Sequence, residues 1–265
     1  MKDKNNIYII KLKKEKYTIL SIQILLVVSM FLLWELFAQI GLLDKFLFSC
    51  PSEIMSLLIE NIKSNEIFIH VGYSLLETLI ALFIGTTLGI LIAIILWFSN
   101  TLIKIVDPFL VVLNALPKTA LAPILIVWAG TGVKGIIVVA ISLSLIMTII
   151  SVLNFFKSVD EEKIKMLKTF GANKLQILLK LILPSNIANL ISVIKINIGL
   201  TWVGVIVGEF LVSRFGIGYI VVYGGQVFKM DLVMMGVFVL ALLAFMMYII
   251  VSLIEKHYKE NKKKG

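Results

Sequence analysis

Five ionisable side chains, Glu35, Glu77, Lys118, Lys195 and Glu209, fall inside or at the edge of long apolar runs. An ionisable group at bilayer depth costs around 2.5 to 3.5 kcal/mol on insertion scales, so it faces a cavity, a partner or a permeating solute. Glu35 and Glu77 lie near the ends of their runs, where a carboxylate reaches the interface. Lys195 and Glu209 are fourteen residues apart. That is about 21 Å along a continuous helix, so they cannot pair within it and each needs another partner. Lys195 starts close to one end of its run, where a long side chain snorkels to the interface. Glu209 sits beside a turn at Gly216, and a gate, a contact with a second copy and plain helix bracing all fit that place. Lys118 follows Pro117 and has Asn114 four residues earlier on the same helical face, a position that suits either a pore wall for anions or a structural role.

Catalysis finds no matching constellation. There is no GxSxG, no HExxH and no pair of intramembrane aspartates, and the two histidines, His70 and His257, are far apart. The single cysteine, Cys50, excludes an intrachain disulfide and a multi-cysteine metal site. Gly130-Thr-Gly132-Val-Lys-Gly135 formally matches GxGxxG, but it links two apolar runs and follows no strand, so it reads as a turn. No GxxxxGK[ST] phosphate loop occurs, so ATP binding is not expected of this chain. The expectation is a protein with no catalytic residue, metal or cofactor of its own, whose energy comes from another polypeptide.

The elements that hold these charges follow from composition. Of 265 residues, 60% are apolar and 15% charged, with a mean hydropathy of +1.03, which excludes an ordinary water-soluble enzyme. A crossing helix needs about 20 mostly apolar residues. Six segments qualify, at about 17–40, 72–98, 108–129, 135–156, 187–212 and 232–254, the third carrying Pro117, Lys118 and Pro123 and the fifth Lys195 and Glu209. The expected fold is an all-α polytopic membrane protein, with residues 1–16 a basic segment and 17–265 one membrane domain. A cleaved signal peptide fits the start poorly, because the apolar stretch continues to Leu43 and no small-x-small site follows.

Lysine placement gives the orientation. Eighteen lysines fall in residues 1–16, 99–107, 154–186 and the tail after Ile254, whereas the alternate connections hold only Lys45, Lys63, Lys134, Arg214 and Lys229. Both termini are therefore expected in the cytoplasm, in accord with an even number of spans. The net charge of +9 is explained by orientation against anionic lipid, and no nucleic-acid partner is needed. Residues 51–70 read as a short amphipathic helix on the outer interface or as a solvated linker helix. The spacings Gly85 to Gly89 and Gly204 to Gly208 permit close helix approach, by default within one subunit.

The connection from Asn154 to Asn186 is far longer than a tight turn requires. Asp160, Glu161 and Glu162 suit a helix N-terminus, and Ile164, Leu167 and Phe170 recur at spacings of three. Gly171-Ala172 permits a change of direction, Leu175, Leu178, Leu179 and Ile182 form a second stripe, and Pro184 is expected to close the segment. Two short helices joined at a glycine make a rigid protrusion offered to a partner, or else a lid packed on the bundle.

Gly171-Ala172 followed by Leu183-Pro184, thirteen residues on from Gly171, resembles the EAA loop of ABC importer permeases. Around it, in order, stand Pro51-Ser-Glu53, His70 with Ser74-Leu75, Asp107-Pro108, Leu116-Pro117, Ala120-Leu-Ala-Pro123, Trp128 with Gly130 and Gly132, Glu209, and Gly216-Ile217-Gly218-Tyr219. That series over residues 48–254 is similar to the nitrate, sulfonate and taurine permeases, a branch that includes carriers of thiamine-precursor pyrimidines. The resemblance implies a homodimeric or pseudo-dimeric pore, a dimer of cytoplasmic ABC ATPase subunits gripping loop 157–184, and an extracytoplasmic solute-binding protein. The loop residues it marks for coupling are Glu161, Glu162, Leu167, Phe170, Gly171, Ala172, Leu183 and Pro184, and Gly216 and Gly218 join the candidate pore and gate residues Asn114, Pro117, Lys118, Lys195 and Glu209. Three positions depart from the pattern. The Glu-Ala-Ala triplet falls on Lys165, Met166 and Leu167, Glu77 stands where a basic residue is common, and Lys118 follows Pro117 where an apolar residue is common. The alternative reading is a secondary transporter in which the intramembrane charges relay ions, which leaves the long loop without a task. A membrane-embedded enzyme lacks its constellation, and a pure scaffold is the residual option.

Overall fold

The computed structural model describes the backbone of residues 2–264 and the side chains of residues 14–259. The described residues form helices joined by short turns. Helix α1 (Lys2–Gln39) is fastened near its C-terminal end, where Glu35 accepts hydrogen bonds from the backbone N–H (3.0 Å) and hydroxyl (2.8 Å) of Ser52. A single turn, α2 (Lys45–Phe48), is capped by Asp44, which accepts from the N–H of Phe46. Helix α3 (Pro51–Lys63) has proline at its first position, where the missing N–H costs nothing. Ile54 points inward against Ile67, Ile217 and Met235, so this segment packs on the bundle and is not a solvated linker.

Three helices make the centre: α4 (Glu66–Trp97), α7 (Val133–Lys157) and α10 (Leu183–Val212). Helix α7 runs between the other two, and both small-residue spacings face it. A Cβ at Gly85 would lie 2.4 Å from Ser144 Oγ, and one at Gly204 would lie 2.4 Å from Ala140 Cα. A side chain at Gly204 would meet backbone and force the helices apart, whereas one at Gly85 would have to displace the Ser144 hydroxyl. The close approach brings Asn197 Nδ2 of α10 to within 2.9 Å of Thr86 Oγ1 on α4 and 2.7 Å of Thr148 Oγ1 on α7. One amide thus ties the three helices together where hydrocarbon supplies no competing water.

The segment read as a third span is two helices. Helix α5 (Asn100–Ala115), capped by Ser99, and α6 (Lys118–Ala129) meet at a bend of 100°. Pro117 is the cause, because it has no N–H for the ladder and drives Leu116 to an extended ψ of 137°. Their 16 and 12 residues reach about 24 and 18 Å, each short of the ~30 Å hydrocarbon core. Among the described residues five helices are long and apolar enough to cross a membrane, and the bent pair raises the number to at most six. The glycine string after α6 is a turn as expected, with Gly130 and Gly132 at φ 92° and 86°.

The long connection also differs from expectation. Helix α8 (Glu161–Thr169) is separate, but the second helix does not stop at Pro184. Helix α9 (Lys174–Ile177) passes through a π-helical turn at Leu178–Ile182 directly into α10, giving one 39-residue helical run from Lys174 to Val212. Pro184 occupies the first turn of α10, and the wider π turn before it absorbs the missing donor. After α10 come a short helix within the expected connection, α11 (Ile217–Gln226), and α12 (Met230–Lys264). Lys174 Nζ donates to the carbonyl of Phe98 (3.0 Å), and Lys195 of α10 pairs with Glu255 of α12. These contacts gather the lysine-bearing connections 99–107 and 157–183 and the end of α12 at one end of the bundle. The turns at 40–66, 130–132 and 213–230 lie at the other.

Candidate functional site

The α8 loop is set by two caps and a glycine. Asp160 accepts from the N–H of Glu162 (2.8 Å) at the start of α8, with Glu161 and Glu162 in its first turn. At the other end Gly171 has φ 78°, its N–H donates to Lys168 O (2.9 Å), and the N–H of Ala172 donates to Leu167 O (3.0 Å). This pair of bonds is a Schellman cap, which needs a left-handed residue in the place Gly171 holds. Asn173 and Gln176 then form a capping box that starts α9.

The residues marked for coupling divide into two faces. Leu167, Ala172 and Leu183, with Ile164 beside them, pack against the central cluster around Val152 and Phe156, whereas Glu161, Glu162, Gly171 and Pro184 are exposed. Phe170 is 78% exposed at the tip, with Met166 also uncovered beside it. The loop thus carries a large uncovered aromatic ring on a capped, well-packed frame.

The pore and gate candidates fall in three separate places. Asn114, Pro117 and Lys118 share the α5–α6 break, where Lys118 Nζ lies 3.3 Å from both Asn114 O and Asn114 Oδ1. The ammonium therefore caps the free carbonyl end of α5, on a surface where Val111, Val112 and Leu116 are also exposed. Lys195 does not simply snorkel; it is paired with Glu255, and its Nζ lies 5.6 Å from the ring centroid of Tyr248. Glu255 in turn accepts from Lys259 (2.5 Å), so the network clamps α10 to α12.

Glu209, Gly216 and Gly218 do come together, at the end opposite α8. Glu209 Oε1 accepts from the Ser74 hydroxyl (2.6 Å) and Oε2 from the N–H of Gly218 (2.6 Å), while Ser74 Oγ accepts from the N–H of Ile217 (2.7 Å). A Cβ at Gly216, which has φ 104°, would lie 2.2 Å from Glu209 Oε1. His70 Nδ1 accepts from the N–H of Gly216 at 3.1 Å and its ring stacks on Tyr219. Glu209 thus braces the start of α11 within the chain.

Sequence reading missed the other half of this cluster. Glu77, expected to reach the interface, is 1% exposed in the body of α4, on the helical face from which Ser74 bonds Glu209. The signal was present in the spacing: His70, Ser74 and Glu77 recur at four and three residues, which puts them on one helical face.

Comparison with known proteins agrees with this architecture. The chain is 26% identical over 225 residues to a putative aliphatic sulfonates transport permease protein of Bacillus subtilis, covering 84% of this chain and 81% of that one. It is 25% identical over 219 residues to the taurine transport system permease protein of Escherichia coli, covering 81% and 80%. Among solved structures it resembles, at 14% identity, a chain of a bacterial ABC transporter involved in the import of alginate, with a TM-score of 0.65 over 92% of this chain and 96% of that one. Residues 85–260, about two thirds of the sequence, match the family described as the binding-protein-dependent transport system inner membrane component, so this multi-pass membrane protein belongs to that family and is a permease component of an ABC importer.

Proposed function

We propose that the chain forms the translocation pore of an importer in the cytoplasmic membrane, as a pair of identical copies with both termini in the cytoplasm. A dimer of separate ABC ATPase subunits grips the loop from residue 157 to 184, and an extracytoplasmic binding protein delivers the solute at the opposite end. The solute is a small nutrient, either a sulfonate-, taurine- or nitrate-like anion or a thiamine-precursor-like pyrimidine. The relatives named for sulfonates and taurine support the anion.

The observation that carries the coupling role is the exposed Phe170 ring on a frame continuous with α10. An ATPase pulling on that tip moves α8 and, through the unbroken run from Lys174 to Val212, the centre of the bundle. A stiff connection is what coupling between two states of a bundle requires. The Glu-Ala-Ala triplet is dispensable on this reading, because the cap at Gly171 and the half-buried, packed Leu167 and Ala172 already fix the tip.

The test is co-purification of the transporter complex carrying Gly171→Arg. Added side-chain atoms at Gly171 meet nothing within 4 Å of the Cβ position, so the cost is the left-handed strain of about 1 kcal/mol and the chain still inserts and folds. The expected result is loss of the ATPase with normal membrane yield, together with cross-linking of the ATPase from Ala172→Cys in the wild-type background. Normal ATPase yield in the variant, or solute uptake driven by an ion gradient in proteoliposomes without any ATPase, overturns the proposal.

A further inference from the structure

Helix α1 is fastened near one end and stands apart along the rest of its length. Away from the bonds between Ser52 and Glu35 its apolar span has no buried face, and Leu25, Leu32 and Leu33 are all half or more exposed. Beside the fastened end, between α1 and α12, lies a cavity of about 480 Å³. The stacked rings of Phe31 and Trp34 form its wall on α1, and Ile54, Met55 and Leu58 form the wall on α3. Val237 and Ala241 supply the wall on α12, and none of the lining side chains is charged. Met55 and Val237 are about half exposed, so the cavity opens to the surface that a bilayer covers.

The surrounding medium decides what can enter. Both α1 and α12 are long and apolar enough to cross a membrane. Lipid tails are as apolar as leucine, so no hydrophobic force draws α1 onto α12, and a gap between spans persists when hydrocarbon fills it. Water is a poor filler, because an apolar cavity of about 150 Å³ already stays dry and takes up benzene. Left unfilled, the wall atoms would forfeit their dispersion partners on one side.

Depth and size narrow the choice further. Glu35 and Ser52 form a polar latch next to Trp34, a residue type that sits at headgroup level. Phe31 lies one turn further into the span, at the depth of acyl chains. A helix of a second copy, about 10 Å across, would use up 480 Å³ within roughly 6 Å of its length, hardly more than a turn. The space suits a thin, flexible chain.

We propose that this cavity holds an acyl chain of a bilayer phospholipid, which completes the contact between α1 and α12 that the protein leaves open. The lipid then acts as a fixed part of the wall at the end of the bundle opposite α8. This goes beyond the transport reading and requires neither the ATPase nor the identity of the solute.

The experiment uses the full chain reconstituted with phosphatidylcholine carrying a diazirine on one acyl chain, then solubilised in mild detergent and washed free of bulk lipid before illumination. The expected result is label on residues 51–58 that exceeds label at Phe83 of α4, an apolar side chain 72% exposed on an open face. Ala241→Trp and Val237→Trp each fill the cavity, and in both the label on residues 51–58 is expected to be lost. Added phosphatidylcholine is expected to raise the melting temperature of the wild-type chain and to leave both variants unmoved. Two variants keep the outcome independent of whether either one folds. Label on residues 51–58 no greater than at Phe83 in the wild-type chain, or label kept in both variants, overturns the proposal. Cross-linking of Met55→Cys, in a Cys50→Ser background, to a second copy in the membrane also overturns it, because another chain would then occupy the space.

Discussion

The two ends of the bundle use the same backbone device for opposite purposes. At the α8 end Gly171 has φ 78° and open space where a Cβ would stand; at the α11 end Gly216 has φ 104° and a carboxylate 2.2 Å from that position. The first glycine serves conformation alone. It turns the chain so that Leu167 and Ala172 pack inward and Phe170 is left uncovered. The second serves conformation and volume together, because Glu209 fills the space and seals a polar cluster against the same chain. The space beside Gly171 stays open, whereas the space beside Gly216 is filled by a buried carboxylate that closes this end within the molecule.

Four substitutions test that contrast. Glu209→Ala removes the acceptor for Ser74 and Gly218 and is expected to cost about 3 kcal/mol, with unsatisfied buried donors as the cause. Thermal unfolding in detergent measures it, and a loss no greater than for a surface residue would erase the distinction between the ends. Gly216→Ala adds a left-handed strain and a clash, together about 2 kcal/mol by the same measurement. Gly171→Ala carries the strain without the clash and is expected to cost about 1 kcal/mol. Equal losses at the two glycines would show that the carboxylate at Gly216 yields, and the contrast would reduce to backbone conformation. Phe170→Ala is expected to change stability by less than about 0.5 kcal/mol, as exposed substitutions do. Its effect is read in ATPase co-purification, which falls although the melting temperature stays.

Much of the frame was legible in the chain. Apolar runs long enough to cross a bilayer, a capped helix beginning at Asp160 and a left-handed position at Gly171 all depend on neighbours within a few residues. The two glycine spacings likewise announced close helix approach, and both meet α7. The breaks were less legible, because proline acts according to its place. Pro117 bends the third segment by 100°, while Pro184 sits in the first turn of a helix that continues past it and Pro108 and Pro123 lie inside helices. Hydropathy carries no information on which of these a proline will do. Helix α11 escaped notice for the related reason that it is short and flanked by glycine and loop residues.

Composition and order alone determined that this chain lives in lipid, how its basic residues divide between connections, and that a long loop with a glycine turn follows the fourth apolar segment. Each is a property of consecutive residues, fixed by transfer from water and by local hydrogen bonding. Only the packed helices decided that Lys195 meets Glu255 and that Ser74 meets Glu209. Those partners stand 60 and 135 residues apart and are joined by the rotation of one helix against another, which glycine-sized gaps permit and no linear pattern encodes.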